Sequence, residues 1–197
     1  MRKTDADYVT AYLARSVAAA TALADDALVR TALADMARVT IAAMQAGGKL
    51  MIAGNGGSAS DAQHIAGEIV GRLMYDRIPL PAIALTADAA VMTATANDYG
   101  FEHVFARQVS ALGRPGDVLL AISTSGRSAN LLRALEAARD KGMRCLGFAG
   151  RAGGPMAALC DHVLRAPADE TAIVQQLHIT AAHVLCALVE RALCPPP

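Results

Sequence analysis

Residues 49–60 read KLMIAGNGGSAS: an apolar run, then a turn of Asn, Gly and Ser, then the start of a helical pattern. Residues 117–132, DVLLAISTSGRSANLL, repeat that order. Each is the grammar of a strand that ends in an anion-binding turn. Small residues let the backbone approach an oxyanion, N–H groups and hydroxyls donate to it, and the following helix adds the positive end of its dipole. A chain that builds this device twice is expected to handle a phosphorylated or otherwise anionic small molecule.

Outward from these two stretches, short apolar runs at 49–54, 81–85, 117–122, 144–149 and 162–166 alternate with helical patterns at 60–74, 101–112, 128–142, 154–160 and 169–193. The alternation predicts an α/β fold: a doubly wound parallel sheet of five strands between two layers of helices. Ligands in such sheets bind outside the carboxyl ends of the strands, where both turns fall. Ahead of the sheet, residues 5–22 and 26–46 carry helical spacing, with Asp25–Asp26 as a start and Gly47–Gly48 as a stop. The chain reads as one domain over 1–197, a helical extension (1–48) followed by an α/β core (49–194). Pro195–Pro197 is expected to end the last helix and fray. The Ala/Leu-rich helices at 26–46 and 169–193 carry more apolar surface than a small sheet covers, which predicts a helix-mediated homo-oligomer.

The bulk numbers exclude several classes. Hydrophobic residues make up 54% of 197, enough for a buried sheet, and 18 basic residues balance 18 acidic ones. No Lys/Arg block invites nucleic acid. No apolar stretch is read as reaching the ~20 residues of a membrane helix. The N-terminal MRKTDADYVTAYLARS is charged and amphipathic, unlike a secretory signal, so a cytoplasmic location is expected. Cys145, Cys160, Cys186 and Cys194 lack C-x-x-C spacing and read as buried free thiols.

The first turn, Asn55-Gly56-Gly57-Ser58-Ala59-Ser60, is neither a dinucleotide fingerprint, since Ala59 stands where the third glycine belongs, nor a P-loop. Its plainer reading is a tight turn with Ser60 as helix cap. The second turn, Ser123-Thr124-Ser125-Gly126-Arg127-Ser128, offers four hydroxyls where one would cap a helix, which points to a phosphate cup with Arg127 turned to solvent. His64 and Glu68, spaced i, i+4, share a helix face and can ligate a divalent metal or form an acid/base pair. Asp61 is placed to orient the His64 ring. The last helix carries Gln175, Gln176, His178 and His183 among apolar residues. Gln175 and His183 lie about 80° apart around that helix and ~12 Å along it, and Gln176 fits a shared site slightly better, so spacing alone leaves the two glutamines open. His178 points away and reads as structural; His103 and His162 read as surface or packing residues. Asn97-Asp98-Tyr99-Gly100 reads as a turn near the strand ends, where Asp98 could accept from sugar hydroxyls.

The segments GNGGSASDAQHIAGE (54–68), AND (96–98), ISTSGRSAN (122–130) and ETAIVQQLHITAAH (170–183) together resemble the phosphoheptose isomerases of the sugar isomerase (SIS) fold, over nearly the whole chain. The resemblance implies a homotetramer, with the N-terminal helices in its interface. It implies conversion of D-sedoheptulose 7-phosphate, a phosphorylated seven-carbon sugar, to D-glycero-D-manno-heptose 7-phosphate. That is the first step toward nucleotide-activated heptose for lipopolysaccharide or capsule. Asn55, Gly56, Gly57, Asn97, Asp98, Ser123, Thr124, Ser125 and Ser128 would then contact substrate. His64, Glu68, Gln175 and His183 would bind one Zn²⁺ per subunit, with Glu68 and Gln175 also touching the sugar and Glu68 and His183 as acid/base pair. The resemblance selects Gln175 over Gln176. The rival readings are a non-catalytic binding module of the same fold, such as a regulator that binds a replication initiator, and an isomerase of arabinose 5-phosphate.

Overall fold

The computed structural model describes residues 4–195. Met1–Lys3 and the expected fraying of Pro196 and Pro197 lie outside them. Two helices, α1 (Asp5–Asp25) and α2 (Ala27–Gln45), precede the sheet. Both begin with a side-chain cap: Thr4 and Asp7 form a reciprocal capping box, and Asp26 accepts from Leu28 N and Val29 N. Strand β1 (Leu50–Gly54) leads into α3 (Gly57–Val70), and β2 (Ala82–Ala84) into α4 (Ala89–Tyr99) and α5 (Val104–Leu112). There follow β3 (Val118–Ser123), α6 (Ala129–Asp140), β4 (Arg144–Gly150), β5 (His162–Ala166) and α7 (Thr171–Leu193).

The five strands are ordered β2-β1-β3-β4-β5, and every pairing is parallel. Strands β1 and β3 are buried at every position because helices cover both faces. Successive side chains alternate between the faces. Leu50, Ile52, Leu120, Ile122 and Phe148 pack against α2, α3 and α7. Met51, Ala53, Leu119, Ala121 and Cys145 pack against α5 and α6. The three-layer, doubly wound expectation holds.

At the amino end of the sheet, Asp117 accepts from Lys49 N at 2.9 Å, Arg114 N at 2.9 Å and Lys49 Nζ at 2.5 Å, tying β1 to β3. Burial pushes this carboxyl up, but the bonds from Lys49 and Arg114 outweigh it and hold it below its ordinary 3.8. At the carboxyl end lies the switch in winding. The chain leaves β1 to build β2 on one side and returns to build β3 on the other, which opens a crevice between the ends of β1 and β3.

Four expectations need correction. Residues 89–99 form a helix, α4, where only a connection was read; Asp88 caps it by accepting from Val91 N at 3.0 Å, and the Asn-Asp-Tyr-Gly signal marks the helix's end rather than a loop. Its weak amphipathicity hid it, since only Thr95 along it is buried. Residues 154–160 make only a 3₁₀ turn, Pro155–Ala158. Helix α3 starts at Gly57, before Ser60, so Ser60 is not its cap. Finally, α7 is long and apolar enough to span a membrane by length and composition, yet half of its most apolar window is buried in the fold, against α1, α2 and α3.

Candidate active site

Both turns sit at the crevice. After β1, Asn55, Gly56 and Gly57 turn the chain, with Gly56 at φ +56°, a conformation that favours glycine. After β3, the Ser123 hydroxyl lies 3.2 Å from the Ser128 hydroxyl and accepts from Gly126 N at 3.1 Å, while Ser125 Oγ accepts from Arg127 N at 3.2 Å. Gly126 has φ +64°, and a Cβ there would collide with the Gly153 carbonyl, so the turn is pressed onto the loop after β4. Ser123 is buried, Thr124 and Ser128 are half-buried, and Ser125 and Arg127 are exposed. Helices α3 and α6, which follow these turns, both begin without a side-chain cap. Ser58, Ala59 and Ser60 bond back to the Asn55 and Gly56 carbonyls, and Leu131 and Leu132 to the Ser128 carbonyl, which leaves Gly57 N in α3 and Ala129 N and Asn130 N in α6 for an oxyanion.

Helix α3 carries His64 and Glu68 one turn apart, and α7 packs against α3 and brings His183 to them. His64 Nε2 lies 3.0 Å from Glu68 Oε1 and 3.3 Å from His183 Nε2. The two rings meet edge to face with centroids 5.1 Å apart. One atom of each of the three side chains falls within 4.8 Å of the others. Two imidazole nitrogens and a carboxylate oxygen converging on one point suit a divalent cation, and this borderline donor set fits Zn²⁺. Glu68 is half-buried and His64 exposed, so the cluster opens to one side.

The glutamines separate. Gln176 Oε1 accepts from the Ser16 hydroxyl of α1 at 2.9 Å. Gln175 lies against the first turn: a Cβ on Gly57 would meet its Nε2 at 2.7 Å. Gly57 thus admits α7 close to the crevice, with the Gln175 carboxamide against that turn. Asn97 and Asp98 are exposed on the last turn of α4, with Asn97 Nδ2 donating to Asp98 Oδ1 at 2.8 Å. No hydrogen bond joins them to the cluster or to either turn among the described residues.

Asp61 forms no hydrogen bond with His64, and its Oδ2 is buried without a partner. Burial raises its carboxyl above the ordinary 3.8, and the nearby His64 opposes that rise. His178 is structural, as expected: wholly buried, its Nε2 meets the Ala149 carbonyl at 3.0 Å, and burial lowers its pKa. His162 packs toward Asp35 and His103 toward Glu102.

Two supports of the site escaped the sequence reading. One is the buried Arg77–Glu190 pair, at 3.0 Å. Glu190 accepts from Leu73 N, Met74 N and Arg77 Nε, and Arg77 donates to the carbonyls of Glu68, Gly71 and Ile78. Arg77 thereby satisfies carbonyls at the end of α3, the Glu68 carbonyl among them. The only sequence signal was a charge inside the apolar last helix. The other support is Asn130, buried beside Asn55.

Known proteins resemble this chain over most of its length. Residues 11–150 match the SIS domain family. Phosphoheptose isomerase of Rhodospirillum rubrum is 56% identical over 163 residues, covering 83% of this chain and 87% of its own. That of Bradyrhizobium sp. (strain BTAi1) is 50% identical over 193 residues, covering 98% of both chains. The solved phosphoheptose isomerase from Neisseria gonorrhoeae superposes with a TM-score of 0.89 at 41% identity, over 95% of this chain and 99% of that one.

Proposed function

The chain belongs to the SIS-domain family and, within it, to the phosphoheptose isomerases, and we propose that it interconverts D-sedoheptulose 7-phosphate and D-glycero-D-manno-heptose 7-phosphate at the His64–Glu68–His183 cluster. The observation that carries the site assignment is the convergence of those three side chains from two helices beside a crevice built for an anion.

The phosphate lies in the second turn, against the hydroxyls of Ser123, Thr124, Ser125 and Ser128 and the uncapped start of α6. The sugar runs toward α3, past Asn55, Gly56, Gly57 and Gln175, with Asn97 and Asp98 closing on its hydroxyls. Glu68 takes a proton from C1 and returns it to C2. His183 gives a proton to O2 as the cis-enediol forms and takes the O1 proton as the enediol collapses. No atom is gained or lost, as an aldose–ketose isomerisation requires. His64, Glu68 and His183 would hold Zn²⁺, with Gln175 at its remaining position, and the bound cation would polarise the carbonyl oxygen.

We read the assembly as a cytoplasmic homotetramer. Tyr8, Val9, Leu13 and Val17 of α1 are more than half exposed, and Val184 of α7 is exposed too; this apolar surface calls for a second copy. The decisive assay follows conversion of sedoheptulose 7-phosphate with and without a chelator. Turnover that chelation abolishes and Zn²⁺ restores is expected. An inert protein would refute the reading and favour a binding module.

A further inference from the structure

We propose that Asn130 is a positioning residue: through a closed pair of amide hydrogen bonds it fixes the Asn55 carboxamide and ties the first anion-binding turn to the second. Asn55 Nδ2 donates to Asn130 Oδ1 at 3.0 Å, and Asn130 Nδ2 donates back to Asn55 Oδ1 at 2.9 Å. The partners are 75 residues apart. Asn55 follows β1, and Asn130 stands in the first turn of α6, two residues after Ser128 of the phosphate cup. The bonded pair therefore bridges the crevice between β1 and β3.

The geometry does two things. An amide held by one bond can swing about it; one that exchanges two bonds with another amide is held in place, and neither can turn alone without losing both. Asn130 is 3% exposed, so losing its partner would leave buried polar atoms unpaired. Asn55 is half-buried and keeps one N–H and one oxygen lone pair beyond the pair. Asn130 thereby fixes where the Asn55 carboxamide sits and how its plane meets the crevice. It also sets the position of the first turn relative to the cup, the span a sugar phosphate must bridge.

The inference rests on the proposed placement of substrate across both turns, and the test separates the two. Asn130→Ala removes both bonds, and Asn130→Leu does so while keeping the volume filled, in case the alanine variant fails to fold. The KM for sedoheptulose 7-phosphate is expected to rise roughly 10- to 100-fold, the effect of two lost neutral hydrogen bonds, with kcat changed far less. Inorganic phosphate, which meets the second turn alone, is expected to inhibit variant and wild type equally. An unchanged KM overturns the proposal. So does a parallel weakening of phosphate and sugar phosphate, because Asn130 would then merely support the cup. If the wild type does not turn over the sugar phosphate, the functional reading fails. The tie is then judged by the crystal structure of Asn130→Ala, where an Asn55 carboxamide that keeps its place and orientation overturns it.

Discussion

Glu190→Gln is the sharpest test of how the fold holds Glu68. The Glu190 and Arg77 side chains are 1% and 3% exposed. The carboxylate accepts from three donors, Leu73 N at 2.9 Å, Met74 N at 2.8 Å and Arg77 Nε at 3.0 Å. Glutamine has the same length but one oxygen, and its NH₂ must face a donor. The guanidinium also loses its countercharge in a dry site. Breaking a buried pair from one side costs about 3–5 kcal/mol. For a chain of this size each kcal/mol moves Tm by about 2–4 °C, so a fall of about 6–20 °C is expected. The assay is thermal unfolding at one fixed protein concentration, since an oligomer's Tm depends on it. Replacing both partners, Arg77→Met with Glu190→Met, should recover part of the loss, because an apolar pair needs no countercharge. It should not recover kcat, since the bond from Arg77 Nη2 to the Glu68 carbonyl, 2.7 Å long, goes with the arginine. A fall below about 3 °C in Glu190→Gln would refute the reasoning.

Glu68→Gln keeps size but removes the base, so kcat should fall roughly 10²–10⁴-fold with substrate still bound; His183→Gln should match it and release metal more readily in a chelator titration. Ser123→Ala with Ser125→Ala should raise KM, each charge-assisted bond to phosphate being worth about 1.5–3 kcal/mol, and an unchanged KM would remove the phosphate from that turn. Sedimentation at micromolar concentration should give a tetramer; a 20.3 kDa species would contradict the oligomer reading. Asp117, its carboxyl held low, adds stability that is full above its ordinary 3.8 and is lost as pH falls through the lower folded value; in acid titrations Asp117→Asn should flatten that limb. Burial pushes the Cys186 thiol up to about 12, so it should react with a disulfide probe only on unfolding, and fast labelling of the native protein would contradict its burial.

Most of the fold was legible because a doubly wound sheet writes itself in alternation. Strands β1 and β3 are buried on both faces and so read as unbroken apolar runs, each closed by a turn of glycine and small polar residues. Helix α4 was illegible for the converse reason. It lies half in solvent with one buried residue, so no apolar stripe marks it, and its closing Asn-Asp-Tyr-Gly looked like a loop. The i, i+4 pair His64/Glu68 was legible because both residues belong to one helix. That His183 meets them, and that Asn55 meets Asn130, depends on how α7 and α6 dock, which no local spacing records. The choice between Gln175 and Gln176 was likewise tertiary: Ser16 of α1 holds one, and the missing Cβ of Gly57 makes room for the other.

The capping rules failed in a way that itself points to the crevice. Thr4, Asp26 and Asp88 cap α1, α2 and α4, as local chemistry asks. Serines stand ready to do the same for the helices that leave β1 and β3, yet neither does. Ser60 lies inside α3, and Ser128, at the N-cap position of α6, turns its hydroxyl to Ser123 and not to a helix N–H. A cap would satisfy the donors and close the site with the protein's own oxygen. Backbone carbonyls of Asn55, Gly56 and Ser128 take part of those donors, but Gly57 N in α3 and Ala129 N and Asn130 N in α6 stay open, forgoing up to about 1 kcal/mol at each helix that a bound anion offsets by accepting from them. The fold should therefore be stabilised when those donors are filled. Inorganic phosphate should raise the Tm of the wild type, and should raise it less in Ser123→Ala with Ser125→Ala, where the cup has lost half its hydroxyls. A Tm indifferent to phosphate would mean that the uncapped helices serve some end other than anion binding.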